Sequence, residues 1–281
     1  MKNLIIIVLL FCFSEILAQK QALLDPESLG IVSYTFRDRF SKDVPGTLDK
    51  IKSLGITNIE FSNLFGKTAG ELRKLLDERG MICTSYGVSY NDVLNKVAEV
   101  AENAKTLGAK YVRVASIPYE KPYTLEDAKR TVADFNKAGK DLKDRGLIFC
   151  YHNHGFEFQP WNNETLYDYI IQNTNPEYVS FEMDILWVVH PGQDPVKFLQ
   201  KYPDRYRLMH VKDLKKGVKG DLSGSTPVEN DVTLGTGQID IPAVLKAAQN
   251  TKIEYFYIED ENPNVDEQVP QSIAYLKKFM K

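Results

Sequence analysis

Short apolar runs alternate with longer amphipathic segments from Leu29 to the C-terminus. The runs have five to seven residues and are rich in β-branched and aromatic types, which is typical of buried strands. They predict eight strands, at 31–35, 56–61, 82–87, 111–115, 147–151, 178–184, 206–211 and 255–259.

The amphipathic segments predict a helix behind each strand, at 43–54, 68–80, 91–107, 124–146, 164–172, 195–201, 241–250 and 271–280. Pro45 suits a first helical turn, and Thr68 with Glu71 has the spacing of a capping box. Eight such units favour parallel strands, and eight is the number that closes a (β/α)8 TIM barrel. A doubly wound sheet usually has fewer strands, so the predicted fold is a single-domain α/β barrel.

Residues 1–18 differ from the rest of the chain. Lys2 precedes an apolar run from Leu4 to Phe13, and Ala18 is a small residue before Gln19. This pattern is typical of a secretory signal peptide, and the run is shorter than the roughly 20 residues of a transmembrane helix. We predict a signal peptide at 1–18 and a barrel at 19–281, exported to the periplasm or secreted, with no membrane attachment after cleavage.

Composition narrows the range of partners. The net charge is −3 and no basic stripe occurs, so nucleic acid is not an expected partner. Aromatic residues make up 11% of the chain, which is compatible with a homo-oligomer interface. Cys83 and Cys150 lie in non-adjacent predicted strands, too far apart for a disulfide, so both are expected to be buried free thiols.

Two of the four histidines, His152 and His154, lie two residues apart at the end of the fifth predicted strand. Because a strand has a period of two, both side chains project from the same face. Other strands also end in polar residues: Glu60, Glu182, Asp184, His210, Lys212, Glu259 and Glu261. In a TIM barrel these ends form the active site, and such a mixture of imidazole and carboxylate groups suits a divalent cation. Taken singly, Glu60 could equally be a salt-bridge partner, and one member of the Glu259–Glu261 run a solvated loop charge.

The chain resembles the xylose isomerase-like TIM-barrel superfamily, in the branch called sugar phosphate isomerases/epimerases. From about Gly30 to the C-terminus, five motifs carry the resemblance: Tyr151–Phe158, Glu182–Asp184 with Trp187 and Gly192–Pro195, Met209–Asp213, Leu234–Asp240 and Ile258–Glu259. The resemblance implies one divalent metal ion (Mn, Co, Zn, Ni or Mg) held by His152, Asp184, His210 and Glu259. His154 is an alternative ligand on strand five, where related ketose 3-epimerases have glutamate.

A metal that chelates a carbonyl and a neighbouring hydroxyl would favour loss of the adjacent proton and formation of an enediolate. Lys212 is expected to stabilise the oxyanion, with a salt bridge to Asp213 or Glu182 as its alternative role. The candidate proton-transfer groups are Glu157, Glu60 and His154. The candidate sugar-binding residues are Tyr34, Arg37 and Trp187.

The fate of the enediolate decides the reaction. Reprotonation would give an isomerase or epimerase, which is our first hypothesis. Because sugar phosphates are scarce outside the cytoplasm, we expect the substrate to be an unphosphorylated sugar or keto-sugar. Loss of a β-substituent would instead give a lyase or hydratase of 3-keto-glycosides, or an inosose-type dehydratase. An endonuclease IV-like phosphodiesterase is disfavoured by the four histidines and the charge of −3. A secreted sugar-binding barrel is the non-enzymatic alternative.

The segment from Leu214 to Thr236 is long for a barrel loop and is rich in lysine, glycine and serine. Long loops of this kind often act as lids, and we expect this one to cover the site. Gly235 and Gly237 do not follow a strand, so they predict a turn before the next helix and not a nucleotide-binding loop.

Overall fold

The computed structural model describes residues 22–280, so the predicted signal peptide lies outside the described residues. Eight parallel strands form a closed barrel, in which each strand pairs with its neighbours in chain order and the last pairs with the first. The strands are β1 Leu29–Val32, β2 Asn58–Phe61, β3 Ile82–Val88, β4 Tyr111–Val114, β5 Ile148–His152, β6 Val179–Asp184, β7 Tyr206–Val211 and β8 Tyr255–Ile258. The predicted (β/α)8 fold is confirmed.

Helices surround this barrel. They are α1 Arg37–Phe40, α2 Val44–Ser53, α3 Ala69–Asp77, α4 Tyr90–Asn95, α5 Val97–Leu107, α6 Leu125–Lys143, α7 Leu166–Asn173, α8 Ile185–Val189, α9 Pro195–Lys201, α10 Ile241–Ala248 and α11 Val265–Leu276. The predicted capping box is present at α3, because the Thr68 hydroxyl accepts from the Glu71 amide and the Glu71 carboxylate accepts from the Thr68 amide. Pro45 lies in the first turn of α2, as expected.

The inside of the barrel is built in layers, because every second residue of a strand points inward. A lower layer consists of four buried residues: Tyr111, Cys150, Leu208 and Tyr257. Two positions further along the chain from each of these lie Arg113, His152, His210 and Glu259. A layer of mostly apolar side chains therefore packs directly beneath a charged layer at the C-terminal ends of the strands. Cys83 and Cys150 are buried free thiols, as predicted.

Several predicted boundaries were wrong. β1 ends at Val32 because residues 33–36 form a 3-10 turn, and the helix predicted at 91–107 is divided at Lys96 into α4 and α5. A hairpin pairs Pro160–Trp161 with Glu164–Thr165 in a region predicted as loop and helix start. The last helix is expected from Gln271, after Pro270, but α11 contains Pro270 in its interior. Of the helices in the described range, none is long and apolar enough to cross a bilayer.

Candidate metal centre and active site

Four polar side chains meet at the C-terminal ends of four consecutive strands. His152 ends β5, Asp184 ends β6, His210 lies near the end of β7, and Glu259 directly follows β8. All four are buried, and one donor atom from each lies within 4.8 Å of the other three. The structure therefore brings together the four residues to which the resemblance assigned the metal, with His152 and not His154 in the set.

Distances within this set are those of donor atoms that converge on one point. His210 Nδ1 lies 2.9 Å from Glu259 Oε2 and 3.1 Å from His152 Nε2. His152 Nε2 is also 3.3 Å from Asp184 Oδ2. Among the described residues, this buried Asp184 oxygen has no hydrogen-bond partner, and such an atom is costly unless it binds a ligand or a metal. Two imidazoles and two carboxylates suit a divalent ion such as zinc.

A second layer of charge lies behind His210. Its Nε2 atom is 2.8 Å from Glu60 Oε1 and 3.2 Å from Glu182 Oε2. The Arg113 guanidinium lies 3.0 Å from the same Glu60 oxygen. Burial alone would raise the pKa of Glu60, but Arg113 and His210 outweigh it and lower that pKa to about 2. Glu60, a predicted proton-transfer group, therefore contacts the far side of His210 and does not line the active-site cavity.

Lys212 is buried among carboxylates. Its ammonium lies 2.8 Å from Glu261, 3.3 Å from Glu259, 3.5 Å from Asp231 and 3.8 Å from Asp184. Burial opposes the charged form, but these carboxylates raise the pKa of Lys212 well above its usual value. Its ion pairs are thus with these four residues, and neither of the salt-bridge partners suggested by the sequence is among them.

A cavity of about 860 Å³ opens above the metal centre. His154 and Trp187 both line it, with ring centroids 5.9 Å apart. The His154 Nδ1 atom has no hydrogen-bond partner among the described residues. Burial, and next the neighbouring His152, lower the pKa of His154 to about 3, so its ring is neutral at physiological pH.

The remaining predicted residues have different surroundings. Tyr34 lines the cavity, whereas Arg37 is not among the lining residues and lies with its guanidinium 4.6 Å from the Tyr34 ring centroid. Glu157 is also outside the lining, and it accepts hydrogen bonds from the Tyr151 hydroxyl and the His154 amide. Burial raises the pKa of Glu157 to about 7. Its contacts fix the backbone that carries His154.

Asp231 is a cavity-lining residue that the sequence pattern does not single out. It accepts a hydrogen bond of 2.8 Å from the Glu261 amide, and burial raises its pKa to about 7 although Lys212 acts in the opposite direction. A carboxyl group of this kind exchanges protons at neutral pH. Asp231 lies in an irregular loop, where neither periodicity nor a strand end marks a residue as functional.

That loop, residues 214–236, crosses the mouth of the barrel. Gly224, Ser225, Thr226 and Val228 line the cavity together with Asp231. At the base of the loop, the Asp213 carboxylate accepts hydrogen bonds from the amides of Gly235, Gly237 and Ile239, which confirms the predicted turn. The loop has the position expected of a lid, and its movement stays a prediction.

Comparison with known proteins identifies the family. The family model of the xylose isomerase-like TIM barrel matches residues 48–279. The chain belongs to this family.

Among curated relatives, an inosose dehydratase from Clostridium beijerinckii is 26% identical over 255 residues, covering 81% of this chain and 84% of that protein. An inosose dehydratase from Mesomycoplasma hyopneumoniae is 28% identical over 188 residues, covering 60% of this chain and 62% of the relative. The aligned part thus spans less than two thirds of the Mesomycoplasma protein.

Solved structures show the same fold. A sugar phosphate isomerase/epimerase from Parabacteroides distasonis has a TM-score of 0.75 at 24% identity, covering 90% of this chain and 95% of that chain. The IolI protein, solved with a bound zinc atom, has a TM-score of 0.71 at 17% identity over 90% of this chain and 96% of its own. The 3-keto-D-glucoside 4-epimerase from E. coli has a TM-score of 0.61 at 15% identity, covering 89% of this chain and 99% of that chain.

Proposed function

We propose that this protein is a metal-dependent lyase that acts on a keto-sugar or a keto-cyclitol. The reaction would remove a proton next to the carbonyl and then expel an oxygen substituent from the β-carbon. The observation that carries the proposal is the buried four-donor set, with its unsatisfied Asp184 oxygen, beneath a cavity lined by His154 and Asp231. The inosose dehydratases among the relatives support elimination, and the zinc of IolI supports a metal.

His152, Asp184, His210 and Glu259 would hold the ion. A bound divalent cation would polarise the substrate carbonyl and acidify the neighbouring C–H group. Lys212 does not line the cavity, but its ammonium lies 3.3 Å from Glu259 and 3.8 Å from Asp184, so its positive charge would act on the substrate through these two metal-binding carboxylates.

We assign the two proton transfers to His154 and Asp231. His154 lines the cavity with a neutral imidazole ring, which would accept the proton from carbon. Asp231 would donate a proton to the departing oxygen. The C–H electrons form the new C=C bond as the C–O bond breaks, so water or an alcohol leaves and no oxidant is needed.

Our first hypothesis from the sequence was isomerisation or epimerisation. Isomerisation needs a proton delivered to the neighbouring carbon, and epimerisation needs one delivered to the opposite face of the same carbon. In ketose 3-epimerases, glutamates on strands five and eight supply it, but here His152 takes the strand-five position and faces the metal donors. This difference favours elimination. Reprotonation stays the alternative reaction because epimerases are among the structural relatives. The experiment described next distinguishes it from elimination.

The test is to load the protein with Mn²⁺, Co²⁺ or Zn²⁺ and to add 2-keto-myo-inositol or methyl 3-keto-β-D-glucoside in D₂O. Proton NMR should show loss of water or methanol and a new unsaturated product. Deuterium uptake without elimination would indicate an epimerase or isomerase, and no metal binding would leave a sugar-binding barrel. His210→Ala should lose both the metal and the reaction, whereas Glu254→Gln, a surface change in an ion pair with Lys110, should lose neither.

We also infer that the mature protein acts outside the cytoplasm, on the pattern of residues 1–18. Cell fractionation and mass spectrometry of the mature N-terminus test this. Cleavage near Gln19 is the expected result, and an intact Met1 in the cytoplasmic fraction would contradict it.

A further inference from the structure

We propose that the cavity holds a second sugar ring beside the reacting one, so that the substrate is a glycoside or disaccharide and not a free monosaccharide or cyclitol. The inference rests on the proposed keto-sugar function and narrows its substrate class. It concerns the part of the cavity that lies away from the metal donors.

The cavity extends across the whole mouth of the barrel. One end is lined by His152, His210 and Glu259, on the β5–β8 side. The other end, here called the distal arm, lies beyond β3 and β4 and is lined by Ser89, Asp92, Lys96, Glu99, Asn103 and Ser116. Cavities of roughly 300–1,000 Å³ enclose drug-sized ligands, and the 860 Å³ found here is near the upper limit. One sugar ring at the metal end would leave the distal arm unfilled.

The side chains of the distal arm suit hydroxyl groups. The Asp92 carboxylate accepts a hydrogen bond of 2.6 Å from the Ser89 hydroxyl and lies 3.1 Å from the Lys96 ammonium. Glu99, one turn further along, has no hydrogen-bond or ion-pair partner among the described residues and is exposed. Carboxylates, an amide and an ammonium together provide the donors and acceptors that sugar hydroxyls require.

The charges of the lining favour an unphosphorylated ligand. The lining contains one lysine, Lys96, and one arginine, Arg113, and each already has a carboxylate partner. Lys96 pairs with Asp92 at 3.1 Å, and Arg113 pairs with Glu60 at 3.0 Å. Since phosphate recognition usually needs a free cation or an arginine fork, neither end of the cavity has the features of a phosphate site.

An aromatic ring stands at the mouth of the same cavity. The Tyr34 side chain belongs to a residue that is 39% exposed, and only Ile82 joins it among the exposed large hydrophobic residues of the described range. The Arg37 guanidinium packs against the Tyr34 ring, 4.6 Å from its centroid. A sugar presents an apolar C–H face that packs on such a ring.

The test measures binding without turnover. Isothermal titration of the zinc-loaded protein with methyl β-D-glucoside is compared with trehalose, maltose, cellobiose and lactose. At least one disaccharide should bind about tenfold more tightly than the monosaccharide glycoside. Glu99→Ala combined with Asn103→Ala should remove this advantage and leave methyl glucoside binding unchanged. The matched control is Glu102→Ala, an exposed glutamate on the same helix that does not line the cavity.

Equal affinity for all five sugars, no binding of any of them, or a disaccharide preference that survives the double substitution would overturn the proposal. Because no reaction is involved, the result is separate from the proposed lyase activity. If the keto-sugars of the NMR assay are not converted but the distal arm still selects a disaccharide, the lyase proposal fails and this one stands.

Discussion

At the scale of single residues, His210 is the side chain on which the metal centre depends most. Its Nδ1 atom faces the donor set, and its Nε2 atom lies 2.8 Å from Glu60. A histidine that donates its Nε2 proton to a carboxylate keeps the Nδ1 lone pair available for a metal. Glu60 is therefore a positioning residue for the metal ligand and not a group that touches substrate.

Glu60→Gln should weaken metal binding by about 10- to 100-fold, because the amide can donate to Nε2 and favour the wrong tautomer of His210. Competition with a chromophoric chelator measures the dissociation constant for Zn²⁺. Glu254→Gln, the same change on the surface, should leave it unaltered. Unchanged affinity in Glu60→Gln would mean that Glu60 only balances the charge of Arg113.

Strand periodicity predicts that polar side chains at the strand ends meet at one mouth of the barrel. The choice of His152, Asp184, His210 and Glu259 among these side chains depended on the family resemblance, because His154 and Glu182 share a face with His152 and Asp184. The same reasoning could not place Glu157, which lies in the turn after β5. Gly155 there has a φ of 94°, and the 3-10 turn that follows directs Glu157 towards the His154 amide. Asp231 could not be predicted because the position of a loop residue depends on tertiary contacts that local sequence does not report.

At the scale of elements, the loop at 214–236 is held by close backbone contacts. A Cβ atom on Gly220 would lie 1.8 Å from the His190 carbonyl oxygen, and one on Gly224 would lie 3.0 Å from the His154 carbonyl oxygen. Glycine at these positions lets the loop approach two segments that follow β5 and β6. The contacts hold Asp231 and its neighbours over the cavity.

Gly220→Ala should detach this part of the loop, since the clash is with backbone and cannot be relieved by a side-chain rotation. Trypsin should then cleave faster at Lys215, Lys216 or Lys219 than in the wild type. Mass spectrometry of the fragments identifies the cleavage site and measures the rate. Gly70→Ala is the matched control, because a Cβ there meets nothing within 4 Å. Cleavage of Gly220→Ala at the wild-type rate would show that the loop does not depend on this contact.

The pattern of apolar residues predicts most elements but not how they break. Lys96, with φ −131° and ψ 32°, separates α4 from α5 and places Asp92 and Glu99 on different helices beside one cavity. Apolar periodicity continues through this point and therefore predicts one long helix. The hairpin turn at Asn162 and Asn163, with φ of 46° and 63°, uses a residue type that tolerates such values, so the asparagine pair is the local signal for this turn.

At the scale of the whole molecule, the outer helices must stay attached to each other for the barrel to remain closed. Asp168 on α7 connects to α9, because it accepts hydrogen bonds of 2.7 Å from both Lys201 and Tyr202 and one of 2.6 Å from Thr165. Burial alone would raise the pKa of Asp168, but these bonds outweigh it and hold the pKa below its ordinary value. A lowered pKa means that the folded state favours the ionised carboxylate.

The stabilisation by Asp168 is therefore fully present above its unfolded pKa and is lost as the pH falls through the lower, folded value. Asp168→Asn should reduce the free energy of unfolding by about 2 kcal/mol at pH 7, and the difference from wild type should shrink below about pH 4. Urea titrations across this pH range measure it. Asp144→Asn, which removes an exposed partner of Lys140, should leave the free energy of unfolding almost unchanged. A difference for Asp168→Asn that stayed constant down to pH 2 would mean that the side chain stabilises the helix contact by its shape and not by its charge.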